Sequence, residues 1–341
     1  MMNKIGIVGA GWRAEMWISV IQKLKDASVA GVLCRREARA AELSARYGVA
    51  TVRDVAALDA LGCDAVLVCV SKQSNCSVSE ELLSRGLRVL SETPAGMTAQ
   101  ERARLTQYGA DVLQFAEQFP LQPRFAALRS CLERGLIGDV HTVSLSCCHG
   151  YHAVALMRAL LGTGEAVPAV RAVQIDDPYA ETQWRGIPRD GAVHGHDRVL
   201  ALLAFGGRTA LYDFSHAQYF SPVRRTRVLV QGTLGEMSPP GGVRLVGGEA
   251  AEFSLHAQYG GQGCDLGAPD LISVSLGGEP VYRNAFYGLR LSEEEIAMAS
   301  ALRRALAAFE GREKGYPASA AALDASIADE IRRSISEQKA E

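Results

Sequence analysis

A chain of 341 residues is long for one hydrophobic core, so two domains are expected, and with 48% hydrophobic residues a sizeable core can be built. The net charge of −2, with acids and bases interspersed, leaves no footprint for nucleic acid and no polybasic membrane patch, which points to a small-molecule ligand. No apolar run approaches the roughly 20 residues of a membrane span, and the N-terminal stretch lacks signal-peptide regions, so a cytoplasmic protein is expected.

Residues 4–8 predict a buried strand, and Gly9-Ala10-Gly11-Trp12-Arg13-Ala14 follows it. Gly9, Gly11 and Ala14 fit G-x-G-x-x-G/A: the first glycine permits a tight turn, the second lets a pyrophosphate approach the backbone, and the small third residue lets helix lie on strand. Met16, Trp17, Val20, Ile21 and Leu24 then recur at the spacing of a helix face, predicting a helix over 12–25. Strands over 29–33, 50–52, 64–70, 88–90 and 112–116 alternate with helices over 36–47, 77–85 and 98–108 and a helical turn near 61, which implies parallel pairing with right-handed crossovers.

After Pro120 the pattern changes. A helix over 121–134 leads to a strand over 140–146 and a short helix over 153–161, and then strands over 170–175, 199–205, 209–214, 226–231 and 243–246 follow one another. Residues 176–193 read as a long surface loop. Ser292-Glu293-Glu294-Glu295 is a capping box opening a helix to 310, and 319–338 forms a last helix. The expected architecture is α/β: a dinucleotide-binding Rossmann domain over 1–120, then an α+β domain over 121–341 with a mostly antiparallel open sheet. The eight cysteines (34, 63, 69, 76, 131, 147, 148 and 264) form no C-x-x-C pair and no regular spacing with histidine, so neither metal nor disulfide framework is expected, and most should be buried thiols.

In a Rossmann unit an acid at the end of the second strand accepts hydrogen bonds from the adenosine ribose. Here that position carries Cys34-Arg35-Arg36, and guanidiniums in place of a carboxylate favour a 2'-phosphate, hence NADP over NAD. The candidate cofactor residues are Gly9, Gly11, Trp12, Arg13, Cys34, Arg35, Arg36, Ser71, Glu92 and Thr93.

With Gly9-Ala10-Gly11, Asp64-Ala65-Val66, Glu92-Thr93-Pro94, Gly135-Leu136-Ile137-Gly138, and His152 leading to Leu160-Leu161-Gly162, the chain resembles the glucose-fructose oxidoreductase and inositol dehydrogenase (Gfo/Idh/MocA) family over nearly its whole length. The resemblance implies substrate held between the two domains, dimers or tetramers formed through the open sheet, and redox chemistry on sugars, cyclitols and related compounds. Two positions depart from the family pattern. Thr93 stands where the family's Glu-Lys-Pro has lysine, and Cys148 stands four residues before His152, where the family often has aspartate. Threonine neither supplies charge to an alkoxide nor titrates near neutrality, so a lysine-centred acid/base scheme does not carry over.

The polar groups left are His149-Gly150-Tyr151-His152 and, at the carboxyl edge of the first sheet, Glu117. His152 matches the family histidine and can exchange a proton with a substrate oxygen, with Tyr151, His149 and Glu117 as further catalytic candidates. Tyr212-Asp213-Phe214-Ser215-His216 and Gln218-Tyr219-Phe220 offer either a polyol pocket or an oligomer contact, and Arg224 and Arg225 an anion-binding pair or solvated charges. The leading expectation is an NAD(P)-dependent oxidoreductase acting on a sugar-like or polyhydroxylated substrate. The alternatives are a nucleotide-binding sensor of the same fold that has lost the chemistry, and a reductase of a C=N bond.

Overall fold

The computed structural model describes residues 2–184, 187–262 and 265–339; Cys264 lies outside them. The first sheet is built from β1 (Asn3–Val8), β2 (Ala27–Leu33), β3 (Thr51–Val52), β4 (Ala65–Val68), β5 (Val89–Ser91) and β6 (Leu113–Phe115), all parallel, in the order β3-β2-β1-β4-β5-β6. Helices α1 (Trp12–Lys23), α2 (Glu37–Tyr47), α3 (Val55–Asp59), α4 (Lys72–Ser84) and α5 (Ala99–Leu105) alternate with the strands. This is the doubly wound order, and it puts the reversal of winding between β1 and β4, beside the glycine turn. Every residue of β4 is buried, as its unbroken apolar run requires of a strand covered on both faces.

Local chemistry accounts for the helix ends. Gly48 and Gly162 each follow the last turn of a helix in the left-handed region, at φ 65° and 64°, and the Thr98/Glu101 and Ser292/Glu295 pairs close reciprocal capping boxes. The helix expected over 77–85 begins five residues earlier, at Lys72. Its first turn is Lys72-Gln73-Ser74-Asn75, polar throughout, so apolar periodicity could not reveal it.

The second sheet follows the 3₁₀ turn Phe119–Leu121 and α6 (Pro123–Glu133). Its strands are β7 (Val140–Ser146), β8 (Ala169–Asp176), β13 (Asp197–Ala204), β14 (Thr209–Ser215), β15 (Arg227–Gly232), β16 (Gly235–Ser238), β17 (Gly241–Val246), β18 (Glu249–Gln262), β19 (Asp265–Leu276) and β20 (Glu279–Arg283). They run in the order β20-β19-β18-β17-β16-β15-β7-β14-β13-β8; β7 pairs with β14 in parallel, and β13 with β8 and β14, β15 with β7 and β16, β17 with β16 and β18, and β19 with β20 pair antiparallel. Helix α7 (Gly150–Leu161) joins β7 to β8 and starts three residues before the expected 153, so His152 sits inside its first turn. The stretch expected as a loop over 176–193 carries two short antiparallel ladders: β9 (Tyr179–Ala180) with β12 (Val193–His194), and β10 (Gln183–Trp184) with β11 (Ile187–Pro188). Strands β16 and β18 to β20 were not expected, although Phe253-Ser254-Leu255-His256-Ala257-Gln258-Tyr259 in β18 and Ile272-Ser273-Val274-Ser275-Leu276 in β19 carry the apolar/polar alternation that marks a half-buried strand.

The chain ends in α8 (Glu293–Phe309) and α9 (Ala318–Gln338). It divides into two compact units, one comprising Met1–Gln122, Gly260–Leu271 and Asn284–Ala325, the other Pro123–Tyr259, Ile272–Arg283 and Ser326–Glu341. A single boundary at 120 therefore misses the return of the chain to its first unit. There, Arg303 pairs with Asp26 and Lys23 with Glu295, the Tyr316 N–H donates to the Gln114 side chain, and Ala318, Ala321 and Ala322 complete the sheet's core. Helical periodicity shows that a segment has a face to bury, and says nothing about which sheet receives it. No helix among the described residues is long and apolar enough to cross a membrane.

Candidate functional site

The glycine turn follows directly from β1. Gly9 has φ 127°, and a Cβ there would stand 2.4 Å from the Cys69 carbonyl oxygen, so only glycine is accommodated. Gly11 caps α1 with extended backbone and no side-chain cap, and a Cβ on it would meet no protein atom within 4 Å. Open space before an uncapped helix N-terminus is what a dinucleotide pyrophosphate needs, and the residues present fit that group. Arg39 of α2 braces the turn from behind. Its Nε donates to the Ala10 carbonyl at 2.9 Å, and its other nitrogens pair with Glu15 and Glu42. Glu15 also accepts from the Tyr47 hydroxyl at 2.7 Å and from Arg46, and these partners, Tyr47 foremost, hold its carboxyl below the ordinary range.

At the end of β2, Cys34 is buried while Arg35 and Arg36 are exposed. A third guanidinium joins them: Arg53 Nη1 donates to the carbonyls of Cys34 at 3.4 Å and Arg35 at 3.1 Å. Sequence reasoning missed Arg53, although β3 pairs with β2 and the residue after a neighbouring parallel strand ends at the same edge. Glu37 lies 3.9 Å from Arg53 and is almost fully exposed.

Past β5, Glu92 is committed to its own fold. One oxygen accepts from Arg13 Nε and from the Trp17 indole, both at 2.6 Å, and its carbonyl accepts from Asn75 at 2.5 Å. Arg13 continues to Glu294 of α8 at 2.9 Å and, with the Gln118 amide turned so that its nitrogen faces the Ala116 carbonyl, to Gln118 at 3.2 Å. Burial alone would lower the Arg13 guanidinium; Glu92 and Glu294 outweigh it and hold the group above its ordinary value. Among the other cofactor candidates, Trp12 is 60% exposed, Ser71 is the N-cap residue of α4 without a side-chain cap and donates its hydroxyl to that of Ser74 at 3.2 Å, and Thr93 is half-buried before the cis Pro94. Glu117 is 3% exposed, and burial pushes its carboxyl up to about 8, although the Phe119 N–H at 3.0 Å and Arg13 favour the charged form. Its ordinary state at neutral pH is therefore the protonated one.

In the second unit, His149 is the N-cap of α7, and two phenols serve that helix end. Tyr219 Oη accepts the His149 N–H at 3.0 Å, and Tyr212 Oη accepts the Gly150 N–H at 3.2 Å. Burial pushes both phenols well above their ordinary range. Rings gather around His149, with centroids at 5.2 Å for His152, 5.5 Å for Tyr151 and 5.8 Å for His216, and Tyr151 and His152 are 4.5 Å apart. The three candidates of this stretch thus form one cluster, joined by Tyr212, His216 and Tyr219, whose roles periodicity alone could not assign. Cys148 is fully buried, its sulfur 3.7 Å from that of Cys147. Arg224 instead ties loops together, reaching Asp177 at 3.1 Å and lying over the Tyr179 ring at 4.4 Å.

Residues 3–112 match the oxidoreductase family with NAD-binding Rossmann fold, Gfo/Idh/MocA. Over that stretch the chain is similar to the nucleotide-binding domain of this family. The inositol 2-dehydrogenase of Rhizobium meliloti (strain 1021) is 24% identical over 152 residues, a match covering 43% of this chain and 45% of that protein, so about half the length of this curated relative is spanned. Two solved structures share the fold over 99% of this chain. An oxidoreductase from Agrobacterium radiobacter in complex with NAD+, L-tartaric acid and magnesium has a TM-score of 0.70, 16% identity and 97% of its chain covered. UDP-N-acetylglucosamine 3-dehydrogenase from Acidithiobacillus ferrooxidans has a TM-score of 0.66, 16% identity and 99% coverage.

Proposed function

We propose that the chain is an NADP(H)-preferring oxidoreductase that transfers hydride to or from an oxygen-bearing carbon of a sugar-like or polyhydroxylated small molecule. The observation that carries this is the Gly9–Gly11 turn, whose front is open and whose back is braced by Arg39. A bound nicotinamide would supply or take the hydride. Gly9 and Gly11 would admit the pyrophosphate, and Arg35, Arg36 and Arg53, with no acid at the strand end, favour a 2'-phosphate. The substrate class is supported by the names of the relatives, which include an inositol and an amino-sugar nucleotide dehydrogenase.

His152 exchanges the proton with the substrate oxygen, Tyr151 and His149 orient it, and Glu117, neutral and buried, is a further hydrogen-bond donor at the first sheet's carboxyl edge. The chain works in the cytoplasm as a homodimer or homotetramer. The apolar residues Val173, Leu200, Leu202 and Leu211, which share one face of the second sheet, support self-association.

A second reading is a nucleotide-binding sensor without chemistry, favoured by Thr93 and by an apolar, buried Cys148 where charged groups are usual. Nicotinamide fluorescence during incubation with a panel of sugars, cyclitols and keto compounds separates the two. Turnover that falls at least about a hundredfold in His152→Ala supports the enzyme; tight NADPH binding without redox change across the panel supports the sensor. Tighter binding of NADH than of NADPH would overturn the cofactor preference.

A further inference from the structure

The order of the first sheet assigns the two ends of a dinucleotide to its two halves. With the pyrophosphate on the Gly9–Gly11 turn and the adenosine end over Cys34-Arg35-Arg36 after β2, the nicotinamide end falls on the other side of the turn, over the carboxyl ends of β4, β5 and β6. At that edge Thr93, between Glu92 and Pro94, brings no charge, and the Arg13 guanidinium is matched by Glu92 at 2.6 Å and Glu294 at 2.9 Å. Glu92 is itself held by Arg13 and by the Trp17 indole, so its charge is already placed. Glu117, two residues past the end of β6, is poised differently. It is 3% exposed, and burial, helped by Glu92, favours its neutral form, while the Phe119 N–H at 3.0 Å and Arg13 favour the charged one; the carboxyl titrates at about 8 as a result. One further positive charge nearby is enough to tip such a balance, and in a water-poor interior that charge acts without touching the carboxyl.

We propose that Glu117 is the counter-ion of the oxidised nicotinamide: it gives up its proton to solvent when the cationic ring binds, and takes one back when the ring is reduced and neutral. This rests on the nicotinamide-cofactor reading above. The balance is one proton for one ring charge, and no bond forms between Glu117 and the cofactor. When hydride passes from substrate to ring, the ring's positive charge is gone and the Glu117 carboxylate, left without it, picks up a proton from solvent; hydride leaving the ring reverses both changes. The edge thus meets each redox state at the same net charge, carboxylate with cation and carboxyl with neutral ring. Arg13 cannot take this part in reverse, because its charge stays paired with Glu92 and Glu294 throughout.

The test is proton release on binding, read with the full-length protein by titration calorimetry in buffers of different ionisation enthalpy, with NADP+ and NADPH added separately at about pH 7. The wild type should release nearly one more proton with NADP+ than with NADPH, a difference in which the 2'-phosphate cancels because both carry it. Between about pH 7 and pH 9 the Kd for NADP+ should tighten about tenfold and level off above 8, where no proton remains to be removed, while that for NADPH stays flat. Glu117→Gln should lose both the extra proton and the pH slope, and at about pH 9 should bind NADP+ about tenfold more weakly with NADPH unchanged. Equal proton counts for the two cofactors in the wild type, or the extra proton persisting in Glu117→Gln, would overturn the proposal and leave the cofactor site standing. Binding of neither dinucleotide would overturn the cofactor reading itself, and the counter-ion with it.

Discussion

Arg39 shows how a side chain can shape a proposed binding turn through its backbone, by donating to the Ala10 carbonyl. By taking the Ala10 carbonyl it points that peptide's N–H the opposite way, across the trans amide, and so sets the face that the turn offers to a phosphate. Arg39→Met should weaken NADPH and NADH alike, by about tenfold to a hundredfold for a lost charge-assisted hydrogen bond, with Arg39→Lys recovering part. Arg53→Ala should weaken NADPH alone; equal losses for both cofactors, measured by fluorescence titration, would refute that division. Glu117 supplies the pH prediction. Its carboxyl titrates at about 8 when folded, against an ordinary 4.5, so its stabilising contribution is full below 4.5 and is lost as pH rises through 8. Urea midpoints from pH 5 to 9 should show the wild type losing ground steadily to Glu117→Gln; a difference that does not change with pH would contradict it. The strand-end position of Glu117 was legible in the sequence, and its burial was not. Arg39 and Arg53 looked like ordinary helix and loop charges, because only pairing between non-adjacent segments gives them carbonyls to hold.

Elements were legible where their chemistry is local. Caps, stop glycines and apolar strands announce themselves within a few residues, which is why β1, β7, α2 and α8 sit within a residue or two of expectation. The start of α4 and the short β16 carry polar or small residues whose conformation is decided by neighbours, whereas the alternation at 253–259 and 272–276 was legible and was passed over. The glycine turn provides the sharpest test at this scale, because its two glycines are required for different reasons. Gly9→Ala drives a Cβ into the Cys69 carbonyl and forces a left-handed φ on alanine, so the folded state itself should suffer, by several kcal/mol. Gly11→Ala adds a methyl to open space: thermal stability should stay near wild type while dinucleotide affinity collapses. If both variants lost only stability, the turn would have no ligand role.

For the whole molecule, the sequence told the order of the two sheets but not the path of the chain between them. The nucleotide-binding unit is completed by residues far downstream: Glu294 on Arg13, Glu295 on Lys23, Tyr316 on Gln114 and three alanines of α9 in the core. A fragment ending at residue 122 should therefore lack a cooperative thermal transition; sharp unfolding of that fragment near the wild-type midpoint would show the return segment to be dispensable. Seen from the ribosome, the same return sets a clock. Tyr316 is made 202 residues after its partner Gln114, a lag of roughly 10–40 s at ordinary rates of synthesis. The first unit to emerge is thus among the last to be finished, and until then its apolar edge is a surface for a chaperone to cover.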